Sequence, residues 1–139
     1  YFKINLLVLS CIFGFTFLGL LSYNLNRDFY CGIYIGCFIS LITGVLCHGT
    51  NNKKLVDLDV YAVHIIAIFN ILYYLILIEN HSTLTIIILI ICGLTADMHR
   101  HNRKEYIELD HLLYVHIPCF IAIFMMIIDI HKYQKSLIN

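Results

Sequence analysis

Apolar residues run along this chain in long unbroken blocks. Residues 4–22, 30–48, 59–78 and 111–130 each approach the roughly 20 apolar residues that a membrane-crossing helix needs. A fifth block, Leu84 to Ala96, is shorter and reaches span length, 82–99, only by taking in Asp97 and His99. A run that short also fits a re-entrant segment. Continuous rather than alternating apolar runs argue against a β-barrel, and the need to close every backbone hydrogen bond inside lipid leaves helices. The pattern predicts an all-α, multi-pass transmembrane bundle of five spans, a single integral membrane domain over residues 1–139. The first block has no clear small-residue cleavage site, so it reads as a membrane helix and not a removed signal.

Composition agrees. The chain is 60% hydrophobic and only 13% charged, against about a quarter charged in soluble domains. Its formal net charge is zero, so it has no basic field for nucleic acid. The six cysteines lie in or beside apolar runs with no C-x-x-C pair, which reads as small buried hydrophobes and not as a disulfide frame or a Cys₄ zinc site. Five spans place the N-terminal stub and loops 49–58 and 100–110 on one face, with Lys3, Lys53, Lys54, Arg100, Arg103 and Lys104. Arg27, Lys132 and Lys135 fall on the other. That asymmetry makes the first face the expected cytoplasmic one.

The polar residues gather on that same face. His48 ends the second block, Asp57 and Asp59 open the third, and His64 lies about two turns further in. Asp97, His99 and His101 close the fourth, while Asp110 and His111 open the fifth with His116 deeper. Singly, each has an ordinary explanation. Asp57 and Asp110 suit helix caps, His48 suits a helix C-terminus, His64 and His116 suit inter-helix hydrogen bonds, and His99 and His101 suit a solvated loop. Together they form a layer of ionisable groups at membrane depth, which usually faces a bundle interior or wet cavity.

Two local patterns sharpen this. Gly32, Gly36, Ser40 and Gly44 recur at every fourth place, a stripe that lets a neighbouring helix or a second copy approach closely. His48 is its next step. His111 and His116 are five apart, about 140° around a regular α-helix. Pro118, lacking an N–H, leaves the Tyr114 carbonyl without its partner. A kink or π-bulge there would bring the two histidines onto one face. Otherwise His116 alone is the ligand.

"LCHGT", with Asp59 eleven residues beyond His48, and "DHLLYVHI" resemble segments of the CREST group of membrane hydrolases, which includes alkaline ceramidases and adiponectin-receptor relatives. The resemblance implies a seven-span fold, hence two further helices before Tyr1. It implies a Zn²⁺ held by His48, His111 and His116, with His64 as a lesser candidate, and Asp59 or Asp57 as the polar partner of the bound water. The family's serine falls at Gly44, where Thr43 and Ser40 are the nearest hydroxyls to hold an oxyanion. The late histidine pair is H-x-x-x-x-H where the family has H-x-x-x-H. The expected function is zinc-dependent hydrolysis of a membrane-lipid amide or ester. Two other classes stand beside it. One is a non-enzymatic protein whose His/Asp layer binds or moves ions or protons. The other is a packing partner that oligomerises through the glycine stripe.

Overall fold

The computed structural model describes residues 2–26, 28–50, 52–78, 81–101 and 108–138, apart from the side chains of Lys53, His99, Arg100, His101, Glu108 and Ile138. The described residues are 91% helical, as predicted, with no strand among them. In chain order they form α1 (Leu6–Asn26), α2 (Cys31–Thr50), α3 (Lys53–Leu77) and α4 (Thr83–His101). These are followed by α5 (Glu108–His111), a π-helical turn (Leu112–His116) and α6 (Ile117–Ile138). Leu6–Asn26, Cys31–Thr50, Lys54–Leu77 and Leu109–Leu137 are long and apolar enough to cross a membrane. Thr83–Met98 is the shorter apolar helix expected in the fourth place. Large apolar side chains such as Ile76, 84% exposed, cover the outer helix faces. A soluble protein rarely exposes such a surface, and lipid would cover it.

Two boundaries differ from the sequence reading. α3 begins at Lys53, not at residue 59, so Asp57 and Asp59 lie inside the helix and do not open it. Asn52 is the cap: its Oδ1 accepts the Lys54 N–H at 3.0 Å, and its carbonyl accepts from Leu55 and Val56. The last helix runs on to Ile138, well past residue 130, because "HKYQKS" carries a polar, amphipathic continuation that an apolar-run criterion does not count.

The chain forms two compact units, Tyr1–Tyr73 and Tyr74–Asn139. In the first, α1 packs on α2 through Leu7, Val8, Cys11, Phe15, Leu18, Gly19 and Ser22, a row at helical spacing. The facing row is Ile33, Gly36, Cys37, Ser40, Gly44, Cys47 and His48. The small residues do what their spacing predicts. A Cβ added at Gly44 would stand 2.8 Å from Cys11 Sγ, and one at Gly36 would stand 2.6 Å from Ile66 Cγ2 of α3. The stripe is therefore filled from inside this unit, by α1 at one end and α3 further along. Tyr73 Oη donates to the Phe29 carbonyl at 2.9 Å and ties the far part of α3 to the α1–α2 connection.

In the second unit α4 packs on α6 and on the π turn. A buried carboxylate, Asp129 of α6, accepts at Oδ2 from Tyr74 Oη (2.8 Å) and Thr85 Oγ1 (2.5 Å). Its cost of burial is thereby offset by two donors drawn from two other helices.

Candidate metal centre

In the first unit, α2 ends where the N-terminal residues cross it. Asn5 does two things there: its Oδ1 accepts the Val8 N–H at 2.9 Å and caps α1, while its Nδ2 donates to the His48 carbonyl at 3.0 Å. The Lys3 N–H reaches the Gly49 carbonyl at 2.7 Å. Two of the carbonyls that any helix C-terminus leaves without intrahelical partners are thus satisfied, and the last turn of α2 is held in place. Cys47 and His48 sit on that turn, both buried.

From α3, Asp59 reaches the same place. Its Oδ1 accepts the Thr43 hydroxyl at 2.6 Å. Cys47, His48 and Asp59 then offer a sulfur, an imidazole nitrogen and a carboxylate oxygen, all within 4.8 Å of one another. Tetrahedral bonds to zinc of about 2.0–2.3 Å put donors on one ion roughly 3.3–3.8 Å apart, so the donors need to draw in by up to about 1 Å. A small side-chain adjustment closes the set. The donors also suit the ion chemically, since thiolate, imidazole and carboxylate are the three protein ligand types of zinc. Cys11 Sγ borders the group, packed against Gly44.

The sequence-expected residues divide accordingly. Thr43, His48 and Asp59 come together as one group. Asp57, two residues from Asp59, is exposed. His64 is exposed too, its Nδ1 2.6 Å from the Val60 carbonyl one turn back, and it takes no part in the group. Ser40 is buried in the small-residue row. In the second unit the π turn lies where Pro118 suggested it, with the Ile117 N–H bonded to the Leu112 carbonyl five residues back. That spacing carries His111 and His116 to one side, with ring centroids 5.0 Å apart, and His116 is buried. The side chains of His99 and His101 lie outside the described residues.

Cys47 is the member that spacing arguments passed over. Ligand pairs are sought three or four apart, on one helix face, and Cys47 is adjacent to His48. It read as one more apolar thiol, and none of the six cysteines is in a disulfide. The available signal was the Cys-His dipeptide at the end of an apolar helix. No protein-family model, curated protein or solved structure matches this chain.

Proposed function

We propose that this is an integral-membrane metalloprotein whose centre, built by Cys47, His48 and Asp59, serves hydrolysis of a lipid amide or ester with Zn²⁺ as cofactor. The observation that carries the reading is the convergence of three zinc-type donors within 4.8 Å at the end of a membrane helix. Three protein ligands leave a fourth position open, the pattern of a catalytic and not a structural zinc. When bound, the ion supplies Lewis-acid polarisation of a carbonyl and an acidified water.

The chain's own residues account for the rest. Thr43 gives its hydrogen to Asp59 and so acts as a positioning residue, fixing which way the carboxylate faces. Asp59 is placed to orient or accept a proton beside the ion. The last turn of α2 lies at the end of a span, so the centre suits a lipid whose amide or ester sits at headgroup depth.

The test is metal content after purification in mild detergent, followed by turnover of ceramide-type amides and glycerolipid esters. Stoichiometric zinc, lost in Cys47→Ala, His48→Ala and Asp59→Asn, supports the centre. Substitution by Co²⁺ should give an intense thiolate charge-transfer band that Cys47→Ser abolishes. His116→Ala belongs in the same series. A protein that binds no zinc or cobalt refutes the reading. One that binds metal but hydrolyses neither substrate class is a metal-binding protein without the proposed activity.

A further inference from the structure

The second unit carries a polar groove that the metal centre does not use. It has a volume of about 500 Å³ and is lined by Ile78, Ser82, Asp129, Lys132, Tyr133, Ser136 and Leu137. Most of these come from one face of α6, at spacings of three and four, over the last turns of the Leu109–Leu137 span. The volume falls within the roughly 300–1,000 Å³ of small-molecule sites.

The charges in the groove are opposite and separate. Asp129 is 7% exposed, and both donors to its carboxylate engage Oδ2. Among the described residues none donates to Oδ1. Lys132, one turn on, is exposed at the same groove, and among the described residues it forms no ion pair. Oδ1 is open to the groove, where a further donor can reach it. The hydroxyls are suitably disposed. Ser136 Oγ donates to the Tyr133 carbonyl at 2.7 Å, which leaves its oxygen to accept. Ser82 Oγ accepts the Thr85 N–H at 3.5 Å, which leaves its hydrogen to donate.

We infer that this groove binds the headgroup of a zwitterionic phospholipid bearing a primary ammonium, of the phosphoethanolamine class. The ammonium donates to Asp129 Oδ1, and the phosphate takes Lys132 and the Ser82 hydroxyl. Ile78 and Leu137 flank the acyl chains as they enter the apolar zone. A membrane lipid is the natural source because the groove opens at the end of a membrane-spanning helix, where headgroups are concentrated. A trimethylammonium has no N–H to give Asp129, and phosphatidylglycerol has no cation at all. Hydrogen bonds to charged groups contribute about 1.5–3 kcal/mol, so the headgroup preference should be about tenfold or more.

The purified chain in mild detergent, mixed with equimolar phosphatidylethanolamine, phosphatidylcholine and phosphatidylglycerol of identical acyl chains, provides the test by native mass spectrometry. Retention of phosphatidylethanolamine about tenfold over both competitors is the expected result, with Asp129→Asn reducing that preference towards parity and Lys132→Ala lowering the retention of all three lipids, since each carries the phosphate. Lys132 is exposed, so its variant keeps the fold and tests the phosphate contact, while the three-lipid competition on the unaltered chain tests the headgroup preference if Asp129→Asn does not fold. Displacement of bound lipid by soluble O-phosphoethanolamine also supports headgroup recognition. Equal retention of the three lipids, or lipid retention untouched by Lys132→Ala, overturns the inference. Binding of O-phosphoethanolamine without any lipid preference would assign the groove to a free zwitterion and overturn the lipid source.

Discussion

The close approach of α1 to α2 can be broken with one methyl group. In Gly44→Ala the new Cβ would stand 2.8 Å from Cys11 Sγ, inside the 3.4–4 Å range of ordinary van der Waals contact. The sulfur cannot swing far, because Cys11 is itself 1% exposed. Overpacking of this kind costs about 1–3 kcal/mol, against which an alanine returns up to about 1 kcal/mol of helix propensity. The net expectation is a loss of about 1–2 kcal/mol, measured by denaturation in mixed detergent with circular dichroism. A double-mutant cycle isolates the cause. In a Cys11→Ala background the sulfur is gone, and Gly44→Ala should become neutral or mildly stabilising, giving a coupling of about 1–3 kcal/mol. Gly93→Ala is the matched control, since a Cβ there meets nothing within 4 Å and the change should only stabilise. The same Cβ at Gly44 lies 3.9 Å from Asp59 Oδ1, an ordinary contact. Cobalt affinity in the double variant should therefore stay that of Cys11→Ala. If Gly44→Ala costs nothing, or costs the same with and without Cys11, the α1–α2 packing described above is wrong.

Three further outcomes follow from the hydrogen bonds. Thr43→Val removes the donor on Asp59 and should lower metal affinity about 10–100-fold by cobalt titration, the usual cost of losing a partner behind a ligand; an unchanged affinity would remove Thr43 from the centre. Asn5→Ala removes the cap of α1 and the bond to the His48 carbonyl together, so denaturation should show a loss of about 0.5–2 kcal/mol or slightly more. Tyr74→Phe and Thr85→Val each take one donor from Asp129 Oδ2, at about 1–3 kcal/mol apiece. Because both serve one acceptor, the double variant should cost other than the sum, and strict additivity would refute the shared network.

The sequence was most readable where a single physical requirement set the pattern. Lipid demands long apolar helices, and the helices stand where the blocks stand. Pro118 removes a specific N–H, and the turn just before it is π-helical, with His111 and His116 side by side. Legibility failed at polar helix ends. Asn52, Lys53 and Lys54 look like loop by hydropathy, yet an asparagine cap lets the helix start there, and Asp57 changes from a cap into an exposed side chain. Asp129 was hidden for a related reason. One carboxylate near the end of an apolar run looks like the beginning of the water phase, and only the arrival of Tyr74 and Thr85 from other helices shows that it is buried.

The position of Gly44 connects packing with chemistry. Residues four apart share a helix face, so α2 presents two adjacent rows near its end, Ser40–Gly44–His48 and Thr43–Cys47. The first row must admit Cys11 of α1, and at residue 44 there is no room for any Cβ without displacing that sulfur. A hydroxyl-bearing side chain at residue 44 is therefore excluded by packing. The second row has no such constraint, and Thr43 supplies the hydroxyl from it, reaching Asp59. Asp59 meets both rows: its carboxylate takes Thr43 as a donor while lying within ligand range of Cys47 and His48. Two ligands adjacent in sequence can serve one site only if the third arrives over the seam between their faces, and α3 delivers Asp59 there. Gly44 is what lets α1 close on α2, and the hydroxyl that reaches Asp59 comes from Thr43, one residue back along the helix.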